Sequence, residues 1–300
     1  MNLPLLSRIL AQPWAVRREH LATLTQLVIG TGALAPKSDT SWNVRQWDWQ
    51  KDQVVTEPIK TTAGYTVLNY EGLSADQRGT LPEAPANCTV LLAWGVLGRA
   101  WSGGDRWWLD AIDVDEITAA VDAAPDGSTV VLWFRSPGGI ITGIPETAEA
   151  MRKASRKKRL LAFTDDLCAS AAYWLASQCE SIHATPTAAV GSIGVYIAFY
   201  DFCAYLEKAG IKLELFKAGT MKAMGLPGKP LSDEEGAHLQ SAVDGGYRQF
   251  TKDVLRNRDI AKETMQGQCL DGDNAKTANL VDTFWPSAAA FFAALGKGKV

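Results

Sequence analysis

Two short motifs place small residues where an apolar run gives way to a turn. The first, residues 135–139 (RSPGG), directly follows the apolar run TVVLWF. Proline fixes one backbone torsion and the glycine pair permits positive φ, so amide N–H groups can turn toward a ligand. The second, residues 169–172 (ASAA), places Ser170 at the start of a predicted helix. Its small neighbours leave room for a peptide to reach the hydroxyl.

Together the motifs supply a nucleophile at a helix N-terminus and a glycine turn from the preceding strand end. These are the parts of an oxyanion hole, which stabilises the negative charge formed during acyl transfer. Each motif alone has a simpler explanation, a tight turn for SPGG and a helix N-cap for Ser170. Their combination favours the catalytic interpretation.

A catalytic serine also needs a general base that takes the proton of its hydroxyl. Of the three histidines, His20 lies near the N-terminus, His238 in a long polar helix, and His183 in a predicted strand where a structural role is favoured. Lys222 is the stronger candidate, because it stands among small and apolar residues after a predicted strand. Taken alone, a lysine of this kind is a solvated cation.

The elements that must position these residues alternate regularly between strands and helices. This alternation predicts an α/β fold with a mostly parallel sheet and flanking helices. Strands are expected at 88–96, 129–134 and 160–163, with short strands within 183–195 and at 213–216; helices are expected at 111–124, 143–153, 169–177, 201–208 and 233–258.

The domain organisation predicted from the 300 residues is one α/β domain, 61–300, preceded by an arm and connector, 1–60. Leucines at helical spacing predict one or two short helices in the first 35 residues. Residues 36–60 contain three closely spaced tryptophans and are expected to be an ordered connector, because such side chains are costly to leave in water.

Composition excludes several classes of protein. The net charge of −3 gives no general attraction to nucleic acid or anionic lipid, so no specific nucleic-acid binding is expected. Five cysteines without a CxxC pattern favour a reducing compartment over a disulfide framework and give no support for a zinc site.

Three further segments have simple explanations. The N-terminal charge order does not fit a signal peptide, and glycine and proline interrupt the uncharged run 181–200, so no membrane anchor is expected. The basic run 152–159 is interpreted as a solvated helix end, in preference to contact with nucleic acid or an acidic head protein.

With these residues in place, the chain from about 89 to 282 resembles the signal peptide peptidase A family of Ser-Lys peptidases, which has a Clp protease/crotonase-like fold. The resemblance implies that Ser170 attacks, Lys222 is the general base, Ser192 helps hold the lysine amine, and the N–H groups of Gly139 and Ala171 form the oxyanion hole. It rests on seven motifs in one order: VLLAWGVLGR, SPGG, ASAAYWLAS, TPTAAVGSIGVY, AGTMK, PLSDEE and AKTANLVD.

Within that family the motif SAAYWLAS resembles the corresponding motif of the head-maturation (prohead) proteases of tailed bacteriophages. The resemblance implies a serine endopeptidase that processes capsid or scaffold proteins in the host cytoplasm, in association with the procapsid, and that uses no metal or organic cofactor. The alternatives are a protease that digests signal peptides or peptides in general, a non-catalytic capsid assembly protein of the same fold, and an acyl-CoA enzyme of the crotonase type. Intact Ser170 and Lys222 argue against the non-catalytic protein, and no acidic catalytic pair supports the crotonase type.

The lysine imposes a physical requirement on the site. An unperturbed lysine has a pKa near ~10.4, so it acts as a base near neutral pH only when its ammonium form is desolvated. Met221, Met224, Leu226 and the apolar segment 190–196 are the expected source of that environment. Because family members form rings and a half-open site excludes water poorly, we expect a homo-oligomeric ring in which Lys222 approaches Ser170 across a subunit boundary.

Overall fold

The computed structural model describes residues 14–16, 59–60, 64–68, 81–101 and 109–300. They form an α/β fold with a mainly parallel sheet and flanking helices, which confirms the predicted fold class. The strands are β1 (Trp14–Val16), β2 (Ile59–Lys60), β3 (Tyr65–Val67), β4 (Cys88–Trp94), β5 (Val96–Gly98), β6 (Ala111–Asp113), β7 (Thr129–Ser136), β8 (Gly138–Ile140), β9 (Arg159–Ala169), β10 (Ser181–Ala184), β11 (Ala189–Gly191), β12 (Cys269–Leu270) and β13 (Thr283–Phe284).

The helices flank these strands. They are α1 (Val114–Ala123), α2 (Ile144–Ala154), α3 (Ala171–Ala176), α4 (Cys203–Lys208), α5 (Asp233–Val254), α6 (Gly272–Thr277) and α7 (Ala288–Gly296). The start of α5 explains the PLSDEE motif: the Ser232 hydroxyl accepts from the Glu235 N–H, and the Glu235 carboxylate accepts from the Ser232 N–H. This reciprocal capping box fixes where the helix begins.

The main sheet has the order β12-β11-β9-β7-β4-β3-β2, with β10 and β13 branching from β9. The central pairs β4–β7 and β7–β9 are parallel, as expected for apolar strands that are covered on both faces. Strand β9 is long enough to pair first with β10 and then, near its end, with β11. Its last residue, Ala169, therefore lies deep in the sheet, directly before Ser170.

A second, smaller sheet has the order β1-β8-β5-β6. Strand β8 pairs in parallel with β5, and its other edge pairs antiparallel with β1. This sheet therefore brings the SPGG motif and a segment of the N-terminal arm together.

Apolar side chains fill both faces of the main sheet. On one face Trp174 stacks on Phe250, with ring centroids 4.5 Å apart, which packs α3 against α5. On the other face Phe163 of β9 stacks on Phe291 of α7 at 4.6 Å. Burial of such rings is a large part of the driving force for folding.

Several element boundaries differ from the sequence-based expectation. Residues 111–113, predicted as the start of a helix, form β6, because they pair with β5. The strand predicted at 213–216 is wrong, since no strand forms there. The helices predicted in the first 35 residues rest on leucines outside the described part of the chain, and Trp14–Val16, which lies between them, is a strand.

Two kinds of feature are absent from the described ranges. No helix there is both long and apolar enough to cross a membrane. No group of three or more His, Cys, Asp or Glu side chains in the same ranges is arranged to hold a metal ion.

Candidate active site

Ser170 lies at a strained junction between β9 and α3. Its backbone has φ 57° and ψ −119°, a combination that a non-glycine residue adopts only when its surroundings enforce it. The side chain is 1% exposed, and its Oγ has no hydrogen-bond partner among the described residues. The helix N-cap interpretation of Ser170 is therefore wrong, because the hydroxyl caps no backbone N–H of α3.

Hydrogen bonds on both sides hold this backbone in place. The Ser170 N–H donates to the Gly191 carbonyl at 2.7 Å, and the Ser170 carbonyl accepts from the Trp174 N–H at 2.8 Å. The Trp174 indole in turn donates to Asp253 Oδ2 of α5 at 3.0 Å. The strained serine is thus held between β11 and α3, and α3 is itself anchored to α5.

The glycine turn lies at the end of β7, beside the serine junction. Ser136 is in register with Cys168 of β9, so the residues that follow each strand lie near one edge of the sheet. A Cβ at Gly139 would lie 1.8 Å from the Leu97 carbonyl oxygen, so only glycine fits this close approach of two backbones.

The two predicted oxyanion donors differ in how they are held. Gly139 is a buried residue of β8, next to Gly138, whose positive φ of 97° and N–H bond to Ser136 Oγ shape the turn. Ala171 is the first residue of α3, where a backbone N–H has no acceptor within its own helix. An N–H in that position is available to an oxyanion.

An ion pair that sequence reasoning missed ties together the ends of β7 and β9. Arg135 donates to both carboxylate oxygens of Asp165, at 2.8 and 2.7 Å, and the Trp133 indole donates to the same carboxylate. The guanidinium also lies 4.0 Å from the centre of the Trp94 ring. The signal was a charge shortly after each of the apolar runs 129–134 and 160–163, and the pair links β7 to β9 ahead of the glycine turn and the serine junction.

Ser192 lies close to Ser170 through their shared neighbour Gly191. Its N–H donates to the Gln268 carbonyl at 2.7 Å, and its φ is 53°. The residue is buried, with 6% of its surface exposed. The structure therefore brings together four of the five predicted site residues, or the backbone beside them: Gly139, Ala171, Ser192 and Ser170.

Lys222, the fifth predicted residue, is placed differently. It lies in a turn that begins after Gly219, its side chain is exposed, and the described residues give its amine no hydrogen bond or ion pair. A Cβ at Gly225 would lie 2.3 Å from a Phe199 ring carbon, so this turn packs on the segment that follows Ser192. Within one chain the lysine is not hydrogen-bonded to Ser170.

His183, the other base considered, has a structural role. Its ring lies in the sheet, with Nε2 2.8 Å from Ser181 Oγ and with Nδ1 accepting from the Trp285 indole at 3.2 Å. Burial lowers its pKa to about 4, so the ring is neutral near pH 7. Both ring nitrogens already have partners, which leaves none for a serine.

An exposed segment precedes the Lys222 turn. Every residue from 207 to 220 is exposed, including Ile211, Leu213, Leu215 and Phe216, the last of them 92% exposed. Four large apolar side chains exposed within six residues are a candidate surface for interaction.

The fold and this geometry define an α/β protein whose site is built around a strained serine at a strand-to-helix junction. The sequence model of peptidase family S49 matches residues 152–294, which cover the serine, Ser192 and the lysine turn. This match confirms the resemblance deduced from the sequence over residues 152–294.

Individual relatives agree with this assignment. A putative signal peptide peptidase SppA of Enterococcus faecium is 33% identical over 162 residues, which are 51% of this chain and 46% of the relative. The capsid assembly protease C of Escherichia phage lambda is 30% identical over 167 residues, 55% of this chain and 38% of the relative. The match thus spans half or less of these relatives. Among solved structures, a ClpP1 mutant of Listeria monocytogenes aligns with a TM-score of 0.41 at 10% identity, over 66% of this chain and 91% of that one.

Proposed function

We propose that the chain is a serine endopeptidase in which Ser170 is the nucleophile and Lys222 the general base. One observation carries the proposal: Ser170 is held at φ 57° with its Oγ buried and unpartnered, next to the first N–H of α3. Strain and an unsatisfied buried hydroxyl both destabilise the folded protein, and such features concentrate at functional sites.

In the proposed reaction, the neutral amine of Lys222 takes the proton of Ser170 Oγ while the oxygen attacks the carbonyl carbon of the scissile bond. The N–H groups of Gly139 and Ala171 donate to the oxyanion, an interaction that strengthens as charge develops. The C–N bond then breaks and the leaving amine takes the proton. Water hydrolyses the acyl-serine, with Lys222 again accepting a proton and Ser192 orienting its amine.

We place the lysine of each site on a neighbouring subunit of a homo-oligomeric ring. The support is that Lys222 is exposed in a single chain and follows the exposed segment 207–220, which carries four large apolar side chains. A second chain docked there would bury both, and burial is what a lysine needs to lose its proton near neutral pH.

The substrates we propose are phage head or scaffold polypeptides, processed in the host cytoplasm during capsid assembly. The name of the phage lambda relative supports this class. The similarity to the Enterococcus relative favours a second candidate, general digestion of signal peptides or other peptides. The two differ in specificity: a capsid protease cuts few bonds in a folded assembly, whereas a digestive enzyme cuts many unfolded peptides.

A fluorophosphonate probe tests the nucleophile directly. We expect the wild-type protein to be labelled on Ser170, the Ser170→Ala variant to remain unlabelled, and a Ser155→Ala control, altered at the end of α2, to label normally. Equal labelling of wild type and Ser170→Ala would refute the assignment.

Mixing two inactive variants tests the shared site. Ser170→Ala and Lys222→Ala chains, denatured together and refolded, would form rings in which some interfaces join an intact serine to an intact lysine. We expect part of the peptidase activity to return in the mixture and none in either variant alone. Mixed rings without activity would contradict the shared site, and full specific activity in an isolated monomer would contradict the oligomer.

A further inference from the structure

A well-covered ion pair joins the loop that carries Lys222 to the start of α5. Lys229 Nζ donates to Glu235 Oε2 at 2.5 Å, and the two side chains are only 17% and 3% exposed. The same amine also donates to the Pro230 carbonyl at 3.1 Å. Such a pair is costly to break, because the partner that stays behind is a charge with little access to water.

Consecutive turns connect Lys229 to Lys222. Four backbone hydrogen bonds follow one another along the loop, each from an N–H to the carbonyl three residues earlier, at 3.0–3.3 Å; their donors are Lys222, Met224, Leu226 and Lys229. Ala223, directly after the lysine, is buried. A loop of closed turns has few free torsions, so holding its end at Lys229 limits the positions that Lys222 can take.

Glu235 performs two tasks that can be separated. Its carboxylate accepts from the Ser232 N–H at 2.9 Å, which is half of the capping box, and it accepts from Lys229. A glutamine can serve in a capping box as well as a glutamate, so the cap needs an acceptor and not a charge. The bond from Lys229 lowers the pKa of the Glu235 carboxyl, which is therefore ionised near neutral pH. The charge is needed only for Lys229.

Helix α5 is also the element that anchors the nucleophile. Near its other end, Asp253 accepts from the indole of Trp174, which lies in α3 directly after Ser170. One helix thus contacts both the loop of the proposed base and the helix of the proposed nucleophile. A loop held on α5 is held on the rigid part of its subunit.

We propose that Glu235 is a positioning residue for the general base, and that it holds loop 219–229 through Lys229 so that the amine of Lys222 reaches the serine hydroxyl. This inference rests on the proposed function. Without the pair, Lys222 is chemically intact but its loop takes up other positions, so proton transfer slows. The expected signature is a lower kcat with little change in KM, because the pair acts on the base and not on the bound peptide.

Glu235→Gln tests this role, because glutamine keeps the acceptor of the cap and loses the charge that binds Lys229. We expect kcat on a fluorogenic peptide to fall by roughly tenfold to a hundredfold, the range expected when a catalytic group is misplaced, with KM within twofold of wild type. The control Glu234→Gln removes the exposed charge next to it and should keep wild-type kinetics.

The same assay separates this inference from the proposed function. If Glu235→Gln keeps a kcat within threefold of wild type, the positioning role is refuted and the endopeptidase remains. If wild type cuts the peptide no faster than Ser170→Ala does, the proposed function fails and the positioning role fails with it. A Glu235→Gln variant that loses activity only because its oligomer dissociates, as measured by sedimentation, would also refute the positioning role.

Ser232→Ala separates positioning from helix stability. It removes the hydroxyl of the cap and leaves the ion pair, so the urea midpoint should fall while kcat stays at the wild-type value. If it lowers kcat as much as Glu235→Gln does, fraying of α5 explains both variants and the positioning role is wrong.

Variants of Lys229 complete the test. Lys229→Met should reproduce the loss of kcat, whereas Lys229→Arg keeps a cation on a long side chain and should retain most of the activity. Because both single changes break the same pair, the double variant Lys229→Met/Glu235→Gln should lose no more than either single variant. Additive losses would show that the two side chains act independently and would overturn the proposed role.

Discussion

Replacing Gly139 with alanine tests how closely the glycine turn is matched to its neighbour. The added Cβ would lie 1.8 Å from the Leu97 carbonyl oxygen, whereas ordinary contacts between carbon and carbonyl oxygen lie at about 3.3 Å or more. The obstacle is backbone within a sheet, so it cannot rotate away as a side chain can. Strand β8 must move by roughly 1.5 Å, and displacements of about 1 Å in a catalytic site reduce rates on the order of a hundredfold.

The expected loss follows from the role proposed for the Gly139 N–H. Removing one oxyanion donor lowers kcat by about 10²–10³, which corresponds to about 2.7–4 kcal/mol of transition-state stabilisation. Overpacking costs a further ~1–3 kcal/mol in the free energy of unfolding. Steady-state kinetics on a fluorogenic peptide, with urea denaturation of the same samples, measure both quantities.

Gly236→Ala is the matched control. Gly236 lies in α5, where a Cβ would meet no atom within 4 Å apart from its chain neighbours and the backbone of its own helix, and alanine is favoured over glycine in a helix by about 0.5–1 kcal/mol. This variant should keep wild-type kinetics and gain slightly in stability. If folded Gly139→Ala retained a kcat within threefold of wild type, the close approach would not position an oxyanion donor.

Three further outcomes are expected. Lys222→Arg should abolish hydrolysis without changing the urea midpoint, because a guanidinium stays protonated; measurable turnover would exclude the lysine as base. Because burial lowers the pKa of His183 to about 4 from 6.5, the unfolded state binds its proton first, so the free energy of unfolding should fall as pH falls from about 6.5 toward 4. His183→Asn should flatten that part of the profile, and an unchanged slope would assign it to other groups. Peptide-library profiling should show small or aliphatic residues at the cleavage point, because half-buried Ile141 and Val195 both lie against Gly246 beside the turn; a strict charge preference would contradict this.

The serine junction was predictable because its cause is local. The apolar run at 160–163 predicted the start of β9, and a serine among alanines predicted the start of α3, although β9 continues to Ala169. The glycine turn after β7 was found in the same way. What the sequence could not show was the strain at Ser170, because it depends on the carbonyl of Gly191, which lies twenty-one residues further along.

The wrong predictions concern segments whose structure depends on partners. Residues 111–113 pair with β5 and so form a strand where their own pattern favoured a helix. The apolar alternation at 213–216 has the pattern of a strand, but none of the described residues pairs with it and the segment stays exposed. Strand β1 in the arm was not predicted, because Trp14–Val16 forms a strand by pairing with the edge of β8. Hydrophobic periodicity shows which face of a segment is apolar, but it does not identify the strand with which that segment will pair.

The dependence of Ser170 on Gly191 has a consequence for the timing of activity during synthesis. A strained backbone persists only when its surroundings enforce it, and the bond that enforces it here comes from a strand made after the serine. A nascent chain that ends before residue 191 therefore contains Ser170 without the backbone geometry on which the proposed attack depends. Because domains fold as units while they emerge, we expect the proposed peptidase activity to arise only after the main sheet is assembled.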